Sequence, residues 1–406
     1  MSVRRHIAVV IVCLTLCGFG YSATAQINGA VPTASWNEVL NQAKGQTVYF
    51  NAWGGDQAIN RYLEWAAERL QEDYEVELRH VRVTDISEAV TRIIAERTAG
   101  RDTDGSVDLL WINGENFAAL KRAELLFGPW AMQLPSAKRI NWHNNPTTMT
   151  DGSLPTEGFE LPWGTAALTF FFDAARVESP PANPAELLAW IEKHPGRFSY
   201  PQPPSFLGSA FLKQMLLTLS ESQERLQAPV GNQFDQQTEP LWRWLDRAHD
   251  SMWRGGRLFP QSGPAQRDLV AVGELDWMLS YNPSEASRAI RQGELHSGIG
   301  ALYFDAGALA NSHFLAIPYN CRACAGARVV ANFLASPEAQ ARKADERYWG
   351  DPTVLELNAL NIQERAYFEK LDVGSATPPP AKRYLAEPHP EWTTRLEQAW
   401  LERYVR

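Results

Sequence analysis

Two patterns of apolar and polar residues recur along this chain: short apolar runs, and longer segments in which apolar residues return every three or four positions. Residues 47–51 are rich in β-branched and aromatic side chains, which predicts a strand. A glycine pair follows, and the next segment places its apolar residues on one helical face: Ile59, Leu63, Ala66 and Leu70. Further strands are predicted at 76–83 and 107–112, each followed by a helical segment. Strands that alternate with helices predict a parallel sheet covered by helices.

The pattern changes after residue 128, where a stretch rich in Pro, Asn and Thr leads into a predicted strand at 167–173. We interpret this stretch as a crossing between two lobes, with a hinge near Trp163. Beyond it, helices are predicted at 184–194, 208–220, around Trp242 and Trp244, at 325–335, at 337–345 and from Pro390, and strands at 197–200, 275–281 and 313–318. The expected domains are a first lobe from 36–162 and 314–375, a second lobe from 166–310, and a C-terminal segment, 376–406, whose helix packs on a lobe.

The N-terminal residues have the pattern of a secretory signal peptide. A pair of arginines precedes an apolar run over residues 7–20, and a small-x-small cleavage site ends at Ala25. The run is shorter than the roughly 20 residues that cross a bilayer. We therefore expect residues 1–25 to be removed and the protein to reach the periplasm. Lipidation at Cys17 is the alternative, although Leu16 stands where a lipoprotein signal needs a small residue.

Composition narrows the function classes. Loss of the two arginines with the signal peptide changes the formal charge from −9 to −11, and the other basic residues are scattered, so we expect no binding to nucleic acid. No other long apolar stretch is present, which predicts that the mature chain meets a membrane only through partners. The fifteen tryptophans fit either large cores or a binding cleft.

Catalytic and metal-binding signatures are missing from the sequence. It has no G-x-S-x-G nucleophile elbow, no H-E-x-x-H, no phosphate-binding G-x-x-x-x-G-K-[ST], and no S-x-x-K with its partner motifs. The histidines are dispersed singly, which disfavours a metal centre. We therefore predict that the chain is not an enzyme and needs no cofactor, with an exported hydrolase or transferase as the alternative.

Two cysteines remain after the signal peptide, Cys321 and Cys324. Their C-x-x-C spacing allows a redox pair, a local structural disulfide or two free thiols. The aromatic-Cys-Gly-Pro-Cys context of thioredoxin-like proteins is absent, which favours the structural disulfide or the free thiols. Two cysteines are too few for a disulfide-based scaffold.

Polar and aromatic residues gather just after the carboxyl ends of four predicted strands, two in each lobe. Ligands of open α/β sheets bind at these ends. If the lobes face one another, the four loops and the hinge converge on one cleft that can close on a ligand. The candidate ligand-binding residues are Asn51, Trp53, Gly54, Gly55, Asp56, Asn113, Gly114, Glu115, Trp163, Tyr200, Ser209, Tyr281 and Asn282. Single residues also have structural explanations: Asp56 as a helix N-cap, Asn113 as a turn residue and Tyr281 as core.

Several stretches resemble the YnjB-type solute-binding proteins of ABC transporters, and together they span nearly the whole mature chain. The two most specific are V-Y-F-N-A-W-G-G-D-Q-A-I-N-R-Y-L at 48–63 and G-S-V-D-L-L-W-I-N-G-E-N-F at 105–117. The other matching stretches are V-V-A-N-F-L-A-S-P-E-A-Q at 329–340, R-K-A-D at 342–345, W-G-D-P at 349–352 and L-A-E-P-H at 385–389. The resemblance implies the α/β type II periplasmic-binding-protein fold, in which two helix-covered mixed sheets are joined by a hinge with a ligand cleft between them. The cysteine pair is not part of the family pattern.

The resemblance also implies a function: a periplasmic receptor, expected to be a monomer, that closes on a small solute and delivers it to an ABC permease and its ATPase. Aromatic faces and carboxylates among the candidate residues suit an organic cation such as a thiamine-like compound, a polyamine or a quaternary amine. These side chains are Trp53, Trp163, Tyr200, Tyr281, Asp56 and Glu115. An oxyanion held by the backbone N–H groups of Gly54 and Gly55 is an alternative, and a ferric ion held by tyrosines is another.

Overall fold

The computed structural model of the chain describes residues 35–112, 114–142, 145–379 and 381–405. The predicted signal peptide, its cleavage site at Ala25, Cys17 and the candidate site residue Asn113 lie outside these ranges.

Within the described ranges the chain forms eleven strands and thirteen α-helices. The strands are β1 (Thr47–Trp53), β2 (Glu77–Val83), β3 (Leu109–Ile112), β4 (Thr150–Asp151), β5 (Leu154–Pro155), β6 (Glu160–Ala167), β7 (Thr169–Asp173), β8 (Trp277–Ser280), β9 (Ile299–Leu302), β10 (Ala308–Ala316) and β11 (Tyr384–Leu385). The helices are α1 (Trp36–Ala43), α2 (Gln57–Tyr74), α3 (Ser87–Thr98), α4 (Gly114–Arg122), α5 (Pro184–Lys193), α6 (Phe206–Leu219), α7 (Phe234–Ser251), α8 (Gly263–Ala271), α9 (Glu285–Arg291), α10 (Cys324–Leu334), α11 (Pro337–Ala344), α12 (Ile362–Arg365) and α13 (Pro390–Tyr404).

The larger sheet has the order β11-β10-β3-β1-β2, with β6 also paired to β10. β1 runs parallel to both β2 and β3, with Thr47 opposite Glu77 and Phe50 opposite Leu109. This part of the sheet is the parallel arrangement that the alternation of strands and helices predicted. β10 pairs antiparallel with β3 and β6 and parallel with β11, so the sheet is mixed.

The smaller sheet consists of β7 between β8 and β9, with both pairings antiparallel. The chain enters it directly from the larger sheet, because β6 continues through Leu168 into β7. The N–H of Leu168 donates to the carbonyl of Leu309, a residue of β10, at 2.8 Å. β6 and β10 therefore run side by side where the chain passes between the two sheets.

Helices cover both faces of both sheets and bury separate hydrophobic cores. The first core packs α1, α2, α10 and α11 on the larger sheet, whose other face is covered by α3 and α4. The second core packs α5, α6, α7 and α13 on the smaller sheet, whose other face is covered by α8 and α9. The C-terminal helix joins the second core through Trp392, Leu396 and Trp400.

The predicted helix after β1 shows how local sequence produces an element. The carboxylate of Asp56 accepts hydrogen bonds from the N–H groups of Ala58 at 2.6 Å and Ile59 at 3.4 Å, so it is the N-cap of α2. The apolar face predicted for this helix is buried in the first core.

The strand predicted at 197–200 is wrong. Phe198 and Tyr200 are buried in the second core, but the segment forms no ladder with β8. The side chain of Gln266 lies between this segment and β8. Its amide donates to the carbonyl of Ser199 at 2.8 Å, and its oxygen accepts from the N–H of Leu279 at 3.1 Å. A side chain therefore satisfies backbone groups that a neighbouring strand would otherwise satisfy.

Cys321 and Cys324 are joined by a disulfide at the start of α10, with their Cα atoms 5.4 Å apart. The carboxylate of Asp108 accepts the N–H groups of Arg322 at 3.0 Å and Ala323 at 2.8 Å within the same turn. Among the described residues, no helix combines the length and the apolar character needed to cross a membrane.

Candidate functional site

A cavity of about 480 Å³ lies between loops of the larger sheet and helices that cover the smaller one. One wall is formed by the residues around the starts of α3 and α4 and by the β4–β5 hairpin. The other wall is formed by α6, α13 and the segment that precedes α13, and β10 completes the cavity. The site therefore combines groups from both sheets, as a ligand cleft between two lobes does.

The β4–β5 hairpin turns at Gly152 and Ser153, whose φ angles are 52° and 66°. Two successive left-handed residues are typical of a type I′ turn, the turn that suits a two-residue hairpin. A Cβ at position 152 would lie 3.0 Å from the Cα of Gly114, so the close approach of the two loops requires glycine there. Ser153 also has a positive φ but is not a glycine. For a residue with a side chain, this left-handed backbone conformation costs roughly 1 kcal/mol or more.

Asp151 projects from this hairpin into the cavity wall. Its Oδ1 accepts the N–H of Gly114 at 2.6 Å, which ties the hairpin to the start of α4. The side chain is 6% exposed, and burial raises its pKa to about 7; backbone hydrogen bonds from Gly114 and Gly152 lower the pKa, whereas the Glu387 carboxylate raises it. The wall thus contains a carboxyl group that titrates near neutral pH.

The opposite wall presents an aromatic face beside an ion pair. Phe206 begins α6 and is 60% exposed, with its ring centroid 4.9 Å from that of Tyr281. The hydroxyl of Tyr281 donates to Oε1 of Glu387 at 3.0 Å. The Nζ of Lys213 pairs with Oε2 of the same Glu387 at 3.0 Å.

The cavity is lined by more acidic than basic groups. Asp85, Glu115, Asp151 and Glu387 line it, and Lys213 is the one basic side chain among the described lining residues. Because Lys213 is already paired with Glu387, the remaining carboxyl groups determine the sign of the charge that a ligand meets.

Comparison with known proteins identifies the family of the chain. The family model of bacterial extracellular solute-binding proteins matches residues 65–358. The chain belongs to this family.

Among curated proteins, Protein YnjB of Escherichia coli strain K12 is 44% identical over 393 residues, which are 96% of this chain and 98% of that protein. Among solved structures, an extracellular solute-binding protein from Bordetella parapertussis, described as putative, has a TM-score of 0.66 and 13% identity over 89% of this chain and 99% of its own. The spermidine/putrescine transporter substrate-binding protein PotD of Streptococcus pneumoniae strain Canada MDR_19A has a TM-score of 0.60 and 14% identity over 88% of this chain and 98% of its own. At these identities the structures show the fold alone.

The comparisons confirm the two-lobed type II periplasmic-binding-protein fold and the resemblance seen in the sequence. Proteins of this family are solute-binding components of ABC transporters and not enzymes. A small-molecule ligand and an ABC permease are therefore the partners of this solute-binding protein.

The structure brings two of the sequence-predicted residues, Gly114 and Glu115, into the cavity wall. Asn113, which precedes them, lies outside the described residues. Glu115 is exposed in the first turn of α4, where its charge also interacts favourably with the helix dipole.

The loop from Trp53 to Asp56 meets α9 and does not line the cavity. Besides capping α2, Asp56 pairs with Arg288 of α9 at 3.0 Å. Trp53 is 45% exposed, and its ring packs so closely on Gly55 that a Cβ there would overlap it. Gly54 is constrained in the same way, because a Cβ would lie 2.6 Å from the Cβ of Arg82.

The rings of Trp163 and Tyr200 do not face the cavity, in contrast to the prediction from the sequence. Both are 0% exposed, because large aromatic surfaces gain most when they are fully removed from water. Trp163 packs against Trp111 and Trp349 in the first core. The hydroxyl of Tyr200 is bonded to His249 Nε2 at 2.8 Å and accepts the indole N–H of Trp400 at 2.7 Å.

Four other predicted residues lie outside the cavity lining. Asn51 is 0% exposed and accepts from Arg92 at 3.4 Å, and the hydroxyl of Ser209 donates to Glu397. Tyr281 is 8% exposed and lies behind Phe206, so it supports the wall without forming it. The side-chain oxygen of Asn282 accepts the N–H of Ser284 at 2.9 Å at the start of α9.

Sequence reasoning missed Asp151, Phe206, Lys213 and Glu387. Two of them had a usable signal: Asp151-Gly152 is a turn dipeptide, and Glu387 lies in the L-A-E-P-H stretch at 385–389 that matched the family. Phe206 and Lys213 lie on a helix whose residues are buried almost all round, so no pattern of spacing separates them from core.

Proposed function

We propose that this solute-binding protein captures a small organic cation in the cavity between its lobes, in the periplasm, and delivers it to its permease. The excess of carboxyl groups in the cavity walls carries the proposal. Asp85, Glu115 and Asp151 bring three carboxyl groups to the cavity lining, and the charge of Lys213 is offset by Glu387. A positive charge in the cavity is therefore stabilised by its surroundings.

Phe206 supplies an aromatic face for the same cation. Its ring is 60% exposed at the cavity wall, although exposing so large an apolar group has no benefit for folding. A cation above an aromatic face gains about 0.5–2 kcal/mol. Phe206 thus takes the role that the sequence assigned to Trp163 and Tyr200.

The structure disfavours the oxyanion alternative at Gly54 and Gly55. The N–H of Gly54 donates to the carbonyl of Val83 at 3.1 Å, and the first N–H groups of α2 are taken by the Asp56 carboxylate. An anion there would have to displace these bonds and would meet the negative charge of Asp56.

The ferric alternative meets a similar difficulty. Burial raises the pKa of both Tyr200 and Tyr281 well above the ordinary value, which opposes formation of the phenolates that would bind iron. Their hydroxyls are also engaged with different partners, Trp400 and Glu387.

Three classes of cation stay open under this proposal: thiamine-like compounds, polyamines and quaternary amines. PotD, a substrate-binding protein of a spermidine/putrescine transporter, has this fold. Cation binding by a protein of the same fold supports the class without identifying the ligand.

Isothermal titration calorimetry with the purified mature protein tests the proposal. The probes are putrescine, spermidine, thiamine and choline, against phosphate, sulfate and citrate. Binding of at least one cation and none of the anions is expected, and anion binding without cation binding would overturn the proposal.

Variants locate the site of any binding that is found. Glu115→Gln and Phe206→Ala are each expected to weaken cation binding by roughly tenfold, through loss of a charge and of an aromatic face. Glu68→Gln removes an exposed carboxylate of α2 outside the cavity and is the matched control. Equal affinity of all three variants and the wild type would place the ligand elsewhere.

A further inference from the structure

Three oxygen atoms in the cavity wall are buried without a hydrogen-bond partner among the described residues. They are Oδ2 of Asp151, Oγ of Ser153 and Oδ1 of Asn311, and all three residues line the same cavity. Leaving one such oxygen unpaired costs roughly 1–3 kcal/mol. The cavity lining therefore contains three polar oxygens that no protein group among the described residues satisfies.

The three residues come from two elements of the fold. Asp151 and Ser153 flank Gly152 in the β4–β5 hairpin. Asn311 lies in β10, the strand that completes the same cavity. The three oxygens therefore belong to residues that line one cavity.

The chemistry of these groups is that of hydrogen-bond acceptors. A carboxylate and an amide oxygen accept only, and a hydroxyl oxygen can accept as well as donate. A ligand that satisfies them must bring N–H or O–H donors. A quaternary ammonium has the positive charge that the cavity favours but has no N–H bond to donate.

We propose that the cleft recognises an ammonium group that carries N–H bonds, as in a primary or secondary alkylamine, and discriminates against quaternary ammonium compounds. The inference rests on the proposed function, because it assumes that the ligand is an organic cation. Asp151 supplies the charged acceptor, and Ser153 and Asn311 supply neutral ones. A charge-assisted hydrogen bond is roughly twice as strong as a neutral one, so Asp151 contributes most.

The backbone of Ser153 supports this assignment. With φ at 66° it occupies the left-handed region, where glycine, as in the preceding Gly152, would be less strained. The hydroxyl of this serine has no protein partner among the described residues, which leaves it available to a ligand.

A graded methylation series tests the proposal. Putrescine is compared by calorimetry with derivatives that carry one, two and three methyl groups on one nitrogen, and with the fully methylated bis-quaternary compound. Affinity is expected to fall as N–H bonds are lost, by roughly 100-fold or more for the bis-quaternary compound. Equal or tighter binding of the quaternary compound would overturn this inference and leave the cation proposal standing. Binding of none of these cations, together with binding of an anion, would overturn the proposed function itself.

Variants separate hydrogen bonding from the added bulk of the methyl groups. In Asn311→Ala and Ser153→Gly the affinity for putrescine is expected to fall by about tenfold, while that for the bis-quaternary compound changes little. The ratio of the affinity for putrescine to the affinity for the bis-quaternary compound therefore decreases. An unchanged ratio would mean that size alone discriminates, and the inference would be wrong.

Ser153→Gly also carries a check on folding. Because glycine tolerates the left-handed backbone, the variant is expected to have a higher melting temperature than the wild type although it binds putrescine more weakly. Asp104→Gly is the matched control: Asp104 is exposed, has a φ of 56° and does not line the cavity. It should raise the melting temperature and leave the affinity unchanged.

Discussion

The buried carboxyl of Asp151 couples the stability of the protein to pH. An unfolded Asp titrates near pH 4, whereas burial raises the pKa of the folded group to about 7. The folded state therefore holds this proton more tightly. The stability that the protonated group contributes is fully present below about pH 4 and is lost as the pH rises through 7. Glu160, fully buried in β6, acts in the same direction, because burial raises its pKa well above the ordinary value.

Asp151→Asn should remove this dependence. Relative to the wild type, the variant is expected to gain up to about 3 kcal/mol in the free energy of unfolding between pH 5 and pH 8. Urea unfolding at intervals of one pH unit measures the difference. Asp104→Asn, which alters an exposed carboxylate, should keep a constant offset from the wild type. A constant offset for Asp151→Asn as well would show that the buried carboxyl does not titrate in this range.

At the scale of the element, the periodic pattern predicted helices and strands well wherever local interactions decide them. The helix after β2 shows how close such a prediction comes. The sequence places Glu88 three residues after Asp85, the spacing of a capping box, and so predicts Asp85 as the N-cap of this helix, whereas α3 has Ile86 at the N-cap position. The Asp85 carboxylate still accepts the N–H of Ser87 at 2.8 Å, and Glu88 accepts the N–H of Asp85 at 3.1 Å. Both carboxylates therefore accept hydrogen bonds at the start of the helix, although the N-cap lies one residue later than the pattern predicts.

The segment at 197–200 shows where the pattern fails. Its alternation is that of a strand, but the neighbouring position is occupied by Gln266, which comes from α8. Strand assignment depends on the partner, and no local property of residues 197–200 reveals that a glutamine side chain replaces a strand.

Gln266→Leu is expected to destabilise the second core strongly. The glutamine is 0% exposed and serves the carbonyl of Ser199 and the N–H of Leu279, so its loss leaves at least two buried backbone groups unpaired. The free energy of unfolding should fall by about 3 kcal/mol or more, as measured by denaturant unfolding followed by tryptophan fluorescence.

The control for this variant is Gln398→Leu, because Gln398 is exposed on α13 and bonds to Glu402 across one helical turn. It should change stability by less than about 0.5 kcal/mol. Similar losses in both variants would mean that the buried amide has no special role.

At the scale of the whole molecule, ion pairs and hydrogen bonds join α9, which covers the smaller sheet, to the segments around the larger one. Arg288 pairs with Asp56 at 3.0 Å, and Arg291 pairs with Glu346 at 2.9 Å. The hydroxyl of Ser284 donates to the carbonyl of Gly350 at 2.8 Å. These contacts stabilise one relative position of the lobes, and a ligand that favours the same position adds to them.

Arg288→Gln should therefore shift the lobes apart. Since partly exposed pairs contribute about 0–1 kcal/mol, the apparent affinity for the ligand should fall by up to about fivefold. The radius of gyration of the ligand-free protein, measured by small-angle scattering, should rise slightly. Arg257→Gln, at an exposed arginine before α8, should change neither quantity. An unaltered affinity and radius for Arg288→Gln would show that the pair does not bias the lobes.

The sequence by itself determined most of the elements, the parallel core of the larger sheet and the family, and it named the start of α4 as a candidate part of the site. Periodicity, capping residues and turn residues act over a few positions, so a single chain segment contains all the information they need. The long stretches that match the family identified the family.

Only the tertiary structure decided which side chains meet in the cavity. Trp163 and Tyr200 resemble ligand-facing aromatics in the sequence but are enclosed by residues from distant segments, whereas Phe206 belongs to an apolar helix and is exposed. Asp151 and Glu387 came together because a hairpin and the chain before α13 meet across the lobes. Exposure, pairing and pKa depend on neighbours that are far away along the chain, and the fold alone supplies those neighbours.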